Sequence, residues 1–369
     1  MGDDAPVTSI VSVAPAAPPH RYAQQQVTDA FADMVIGAGG SQSLLRRVHA
    51  SAGVRHRNLA LPLERYATLS GFGEANDTFI EVGLDLAAEA VLRALADAGL
   101  APADVDVLMF TSVTGIAAPS LDARLVGRVG LRPDVRRLPL FGLGCVAGAA
   151  GIARVHDLLR GDPTAVAVLV SVELCSLTVQ RDDASVANQV ASGLFGDGAT
   201  AVVLTGADRA EAAGPLAPQV VASRSRLYPG TERVMGWDVG GTGFRIVLDA
   251  SVADVVRGNL EVDVKGFLAD HDLEVGDIAR WVCHPGGPKV LDAVAESLHL
   301  PEEALAHSWE SLAAVGNLSS SSVLHVLGAT LAESPPPPGS YGLLMAMGPG
   351  FCAELVLLRW PGGDGRQAA

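Results

Sequence analysis

Two segments far apart in the chain spell one pattern. L-A-D-A-G-L-A-P-A-D-V-D-V-L-M-F-T, from Leu95, aligns with L-A-D-H-D-L-E-V-G-D-I-A-R-W-V-C-H, from Leu268. The displacement that pairs Leu95 with Leu268 also pairs Asp104 with Asp277 and Thr111 with His284. With a displacement one residue shorter, G-C-V-A-G-A-A-G-I-A-R-V-H-D-L-L from Gly144 aligns with G-N-L-S-S-S-S-V-L-H-V-L-G-A-T-L from Gly316. Cys145 thereby falls opposite Asn317. F-G-D-G-A-T-A-V-V-L from Phe195 pairs in turn with M-G-P-G-F-C-A-E-L-V-L from Met347. Such self-similarity means two copies of one α/β unit. Each copy reads as helix, strand, loop, strand, small-residue helix and a glycine-turn hairpin. An Ala-, Gly- and Pro-rich connector over 205–220 divides the halves as 1–215 and 216–369. They are expected to pack about a pseudo-twofold axis, with the small-residue helices back to back in the centre.

The Cys145 stretch carries the chemistry. Leu138 to Leu143 reads as a buried strand that turns through Gly142 and Gly144 into the first turn of a helix. Gly144, Ala147, Gly148 and Gly151 lie near one face of that helix, so another backbone can approach closely. The positive end of the helix dipole favours thiolate at Cys145. A free cysteine is otherwise an ordinary small buried hydrophobe, so its partners decide the reading. The pseudo-symmetry brings Asn317 to the same centre, and His284 ends a strand at the same mouth. His284 can supply an imidazolium that lowers the Cys145 pKa, and His284 and Asn317 together can hydrogen-bond an oxyanion. Cys175, Cys283 and Cys352 sit in apolar surroundings, with Cys283 expected to point away from His284.

Composition excludes several classes. Net charge is −15 and the only lysines are Lys265 and Lys289, so a nucleic-acid groove is not expected. An anionic ligand must be met by local arginines, and Ser43 to Arg57 is a basic amphipathic patch that reads either as a solvated helix face or as a landing site for phosphates. Four cysteines without a C-x-x-C pair speak against a disulfide framework or a metal site. M-G-D-D-A-P lacks the features of a signal peptide, and the apolar run Leu138 to Ala153 is too short and glycine-rich to span a bilayer. A cytoplasmic protein without a membrane span is expected. Elsewhere the pattern predicts a strand at Thr8 to Val13, a helix from about Gln24 and another over Glu81 to Gly99. Further strands are expected at Val105 to Phe110 and Ala165 to Val172. G-D-G at 196–198 lacks the helix and lysine of a phosphate cradle and reads as a tight hairpin.

Four motifs, G-L-G-C-V-A-G (142–148), G-L-F-G-D-G-A (193–199), H-P-G-G-P-K (284–289) and G-N-L-S-S-S (316–321), resemble those of type III polyketide synthases, the chalcone-synthase-like family. The resemblance covers nearly the whole chain. It implies a thiolase-like αβαβα five-layered fold, a homodimer, no carrier protein and no cofactor beyond CoA thioester substrates. It also implies an acyltransferase that loads an acyl-CoA starter on cysteine and extends it by decarboxylative condensation with malonyl-CoA. Cys145 matches the nucleophile, and His284 and Asn317 the two donors. Phe195 matches the gatekeeping phenylalanine and Phe244 a second cavity phenylalanine. Val113, Cys175, Thr178, Met235 and Ser319 match further cavity positions. Arg47 matches a CoA-phosphate contact. Leu44 and Ser51 stand where plant members carry lysine, so Arg46, Arg55 or Lys289 is expected to substitute.

Two departures point to the bacterial branch. A-M-G-P-G (346–350) replaces G-F-G-P-G, and S-V-E-L-C-S-L-T (171–178) places Cys175 where plant enzymes have threonine. Val113, Cys175, Leu177 and Met235 suggest an apolar cavity and hence a pyrone or resorcinol product. The alternative is a malonyl-CoA-only enzyme like tetrahydroxynaphthalene synthase. An initiating ketoacyl-carrier-protein synthase shares the Cys-His-Asn set but not the H-P-G-G-P surroundings. A cysteine protease does not fit the repeat. A silent partner subunit, the non-enzyme alternative, does not fit retention of all three reactive positions.

Overall fold

The computed structural model describes residues 7–361 other than 38–39, 182, 213, 215 and 334. The M-G-D-D-A-P segment lies outside the described residues, as does one side of the expected 215/216 boundary.

Nine strands form one hydrogen-bonded sheet. Their spatial order is Ile278–Cys283, Tyr341–Gly348, Cys352–Arg359, Gln219–Leu227, Thr8–Ala16, Asp197–Thr205, Val166–Leu174, Val107–Thr111 and Arg136–Leu140. This order displays the repeat. Outward from the centre, Thr8–Ala16, Asp197–Thr205, Val166–Leu174 and Val107–Thr111 correspond to Gln219–Leu227, Cys352–Arg359, Tyr341–Gly348 and Ile278–Cys283. Within the sheet the halves pair through Thr8↔Val220 and Ser9↔Gln219. With so narrow a seam the sheet doubles back, and each half becomes its own layer.

Strand alternation sorts side chains into the layers. Leu108 and Phe110 enter a core with the helix Phe72–Asp97, whereas Val107 and Met109 enter a central core. Leu343 and Met345 pack with the helices Val252–Ala269 and Pro288–Leu298, whereas Leu344 and Ala346 enter the same central core. The helices Ala147–Gly161 and Ser320–Ala332 fill that centre and touch each other. The result is the thiolase-like succession helix, sheet, helix, sheet, helix.

Several expectations change. The strand before Cys145 is Arg136–Leu140, which is not buried, and Phe141 is 57% exposed. It is an edge strand with one neighbour, so only part of it is covered. In the second half no strand precedes Asn317; a helix, Ala306–Val315, occupies that place. G-D-G at 196–198 is not a hairpin turn. It follows the helix Val186–Leu194 and opens the strand Asp197–Thr205. The true hairpin is in the second half, where Gly348 to Gly350 joins Tyr341–Gly348 to Cys352–Arg359. The predicted helix over Glu81 to Gly99 begins earlier, at Phe72.

Candidate active site

Cys145 lies in a single tight turn, Gly144–Val146, that leads into the helix Ala147–Gly161. Gly144 takes φ +56°, and a Cβ there would strike the Pro349 ring. The A-M-G-P-G hairpin of the second half therefore rests on the nucleophile turn. Across the axis, Asn317 Oδ1 accepts from the Ser319 N–H at 2.8 Å and from Ser322 Oγ at 3.3 Å, capping the start of Ser320–Ala332. Ser319 stands at φ +49°, a strained value for a residue with a Cβ, and its Oγ is 3.7 Å from Cys145 Sγ. Asn317 Nδ2 reaches toward the Gly286 carbonyl at 3.4 Å. The Gly286 N–H in turn donates to the His284 carbonyl at 2.9 Å. The three predicted residues thus belong to one short chain of contacts.

All three are buried. Burial pushes the Cys145 thiol up to about 12 and pulls His284 down to about 3. Removing both groups from water favours thiol and neutral imidazole over their charged forms, which opposes the expected imidazolium. The Ser319 hydrogen bond opposes the rise at Cys145, and the negative charge of Glu173 adds to it. Nδ1 of His284 has no hydrogen-bond partner among the described residues.

A cavity opens beside Cys145. Its wall contains the predicted Val113, Cys175, Thr178, Phe195, Met235 and Ser319. Phe244, His284 and Asn317 are not among its lining residues. Phe244 packs 5.4 Å from Phe72 and 5.9 Å from Trp237, between ring centroids, so its contribution passes through Trp237. Leu177 lines a different cleft. Thr114 and Asn188 also line the wall, but their polar atoms are engaged by Glu173, Leu174, Gln180 and Asp183, so the surface facing the cavity is mainly apolar.

Sequence reasoning missed Trp237 and Ile246, which line the cavity from the hairpin Met235–Gly240 and Gly243–Leu248. The G-G-T-G turn flanked by W-D-V and F-R-I was the available signal. It also missed Glu173, which is fully buried at the end of Val166–Leu174. Its carboxylate accepts from the Val113 N–H at 3.1 Å, Thr114 Oγ1 at 2.9 Å, Ser112 Oγ at 3.2 Å and Ser320 Oγ. Glu173 thus ties the loop after Val107–Thr111 to the start of the Asn317 helix.

The basic candidates separate. Arg46 pairs with Asp29 at 2.5 Å, and Arg55 with Glu310 at 2.7 Å. Arg47 and Lys289 are exposed and have no ion pair among the described residues. The Gly53 turn after the Arg47 helix packs on Pro288, so Lys289 lies on the same side of the molecule. Among the described residues no helix is long and apolar enough to cross a membrane.

The family model described as the N-terminal domain of chalcone and stilbene synthases matches residues 5–209, and its C-terminal counterpart matches 219–360. A 1,3,6,8-tetrahydroxynaphthalene synthase of Streptomyces peucetius subsp. caesius is 58% identical over 96% of this chain and 93% of its own. A putative chalcone synthase of Bacillus subtilis is 36% identical over 84% of this chain and 87% of its own. The crystal structure of 1,3,6,8-tetrahydroxynaphthalene synthase from Streptomyces coelicolor A3(2), a bacterial type III polyketide synthase, superposes with a TM-score of 0.89. It is 31% identical and covers 96% of this chain and all of that one. With both halves matched and three of the four motifs lining one cavity, the chain belongs to the chalcone and stilbene synthase family and is a type III polyketide synthase.

Proposed function

We propose that the enzyme uses malonyl-CoA alone, as starter and extender, and forms tetrahydroxynaphthalene. The 58% identity to a tetrahydroxynaphthalene synthase over 96% of the chain carries this reading. It replaces the pyrone or resorcinol product expected from an apolar cavity.

In this reading the Cys145 sulfur attacks the thioester carbonyl while its proton passes to neutral His284. The carbon–sulfur bond to CoA breaks, and the departing CoA thiolate takes that proton. A second malonyl-CoA loses carbon dioxide, and the electrons of the broken carbon–carbon bond move onto the thioester oxygen. His284 and Asn317 stabilise this enolate by hydrogen bonding. The enolate carbon then attacks the Cys145 thioester and frees the sulfur for the next round. Arg47 and Lys289 meet the CoA phosphates. The halves 1–215 and 216–369 each contribute to the site, with Cys145 from the first and His284 and Asn317 from the second. The enzyme works as a homodimer in the cytoplasm, with the exposed Ile116 and Phe141 beside the edge strand buried against the second copy.

Purified protein is incubated with malonyl-CoA alone and with a panel of acyl-CoAs, and products are identified by mass. Tetrahydroxynaphthalene from malonyl-CoA alone is expected. An absolute requirement for another acyl-CoA starter would overturn the reading.

A further inference from the structure

Arg57 is the least expected residue of the interior. It sits on the short strand His56–Leu59 and is only 1% exposed. Its Nη1 donates to the Ser192 carbonyl at 2.8 Å and to the Phe195 carbonyl at 2.7 Å. Both lie at the C-terminal end of the helix Val186–Leu194, where carbonyls lack intrahelical donors and the helix dipole is negative. Burial pulls the guanidinium down to about 10, with Asp197 opposing, so the charge persists at neutral pH. Nε and Nη2 have no hydrogen-bond partner among the described residues. A buried cation with two unused donors is an expensive way to fill a core; an apolar side chain of similar volume is often as stable or more so.

What Arg57 holds explains its presence. Phe195 and Asn317 form an isolated parallel β-bridge. The Gly196 N–H donates to the Asn317 carbonyl at 3.0 Å, and the Asn317 N–H to the Leu194 carbonyl at 2.9 Å. The stem of Arg57 lies against Gly316, where a Cβ would be 3.2 Å from Cγ and Cδ. One side chain therefore braces the backbone that presents Phe195 and the backbone that presents Asn317. His49 completes the frame: its ring lies between Thr28 Oγ1 at 3.0 Å and Ser192 Oγ at 3.1 Å. Cys145 is held from the other side, by Pro349 and Ser319.

We propose that Arg57 is a positioning residue for decarboxylation: it clamps the Phe195–Asn317 bridge so that the Asn317 amide meets the enolate. This rests on the reading of Asn317 as an enolate donor. Loss of the clamp displaces the amide and leaves the nucleophile in place.

The test compares Arg57→Met, Arg57→Lys, Asn317→Ala and the double variant Arg57→Met/Asn317→Ala. Carbon dioxide release from malonyl-CoA reads decarboxylation, and iodoacetamide labelling of Cys145 reads the nucleophile. Arg57→Met is expected to lower kcat for decarboxylation at least tenfold, with KM and the labelling rate within twofold of the parent. Arg57→Lys, which keeps the charge and a single donor group, is expected to recover part of the loss. In the Asn317→Ala background, Arg57→Met is expected to cost less than threefold, because one residue acts through the other. Independent, multiplicative losses would overturn the proposal. So would normal decarboxylation by Arg57→Met when Asn317→Ala is impaired. If Arg57→Met does not fold, Arg57→Lys decides: unchanged kcat overturns the clamp, and a loss that vanishes in the Asn317→Ala background supports it. Normal decarboxylation by Asn317→Ala itself would instead remove the enolate reading on which the clamp rests.

Discussion

Gly148 and Ser320 bring the two central helices into backbone contact: a Cβ at position 148 would collide with the Ser320 carbonyl oxygen. One turn before Gly148 lies Cys145, and one residue before Ser320 lies Ser319, whose hydroxyl meets the Cys145 sulfur. The packing of the helices therefore sets the approach of the two catalytic ends. Gly148→Ala must push them apart or tilt one, and overpacking of this kind costs about 1–3 kcal/mol. A lower urea midpoint is expected, together with slower Cys145 alkylation. An unchanged midpoint would mean that the interface yields freely.

Cys145→Ala is expected to abolish the acyl-enzyme and all chain extension while sparing part of the decarboxylation of malonyl-CoA to acetyl-CoA. Asn317→Ala has the opposite profile. It keeps acylation but decarboxylates about 10²–10³ more slowly, the usual effect of losing one oxyanion donor. Mass spectrometry of the intact protein and carbon dioxide release separate the two. Equal loss of both steps in both variants would contradict the division of roles.

Burial favours the thiol at Cys145, and this has a kinetic signature. With the thiol pushed up to about 12, the thiolate fraction of the free enzyme grows tenfold per pH unit across the neutral range. Iodoacetamide inactivation should accelerate steadily from pH 6 to 9. A plateau beginning near neutrality would instead reveal a preformed ion pair.

Acid should destabilise the fold through its buried histidines. His49 is pulled down to about 3 by burial and the nearby Arg57 charge, and His284 to about 3 by burial. Both titrate near 6.5 when unfolded, so the unfolded chain binds more protons between about 3 and 6.5. Their contribution is complete above 6.5 and is lost as pH falls toward 3. Asp197 acts the other way: burial raises it to about 6, so its contribution is present below about 4 and lost as pH rises through 6. Burial also lowers His156 and His325 and raises Glu173 and Glu354, so four histidines act against three carboxyls. Urea stability should fall from pH 7 to 5, and His49→Gln should flatten that slope by up to about 1.4 kcal/mol per pH unit. A variant with the parent slope would assign the acid sensitivity elsewhere.

Arg47→Ala should raise KM for malonyl-CoA about three- to tenfold, as expected for losing an exposed charge-assisted contact. Arg46→Ala should have a smaller effect, because Arg46 is already held by Asp29 and Gln42. Steady-state kinetics at two ionic strengths tests the ranking; a larger effect at Arg46 reverses it.

Cys175→Phe should act by volume. Cys175 lines the cavity, and a phenyl ring there removes space next to the growing chain. Decarboxylation near the parent rate with release of shorter polyketides is expected, scored by product mass. An unaltered product distribution would place the chain along Met235 and Thr178 instead.

The doubled pattern around Leu95 and Leu268 was enough to predict two α/β halves, their central helices and the opposition of Cys145 to Asn317. Those features depend on local periodicity and small residues, which the chain writes in one dimension. Motif resemblance then supplied the cavity positions, of which Val113, Cys175, Thr178, Phe195, Met235 and Ser319 meet in one wall. Tertiary structure decided what depends on solvent exclusion and on distant partners. Leu138 to Leu143 reads as apolar enough for a core, but the strand formed there, Arg136–Leu140, lies at a sheet edge, because exposure is set by neighbours and not by composition. Arg57 sat within a basic patch that suggested phosphate, yet it turns inward to the Ser192 and Phe195 carbonyls, residues more than a hundred positions away. Cys145 and His284 read as an ion pair in the sequence, whereas their burial in the folded chain disfavours charge on both. Charge state and orientation are properties of an enclosed volume, and that volume exists only once the two halves have packed.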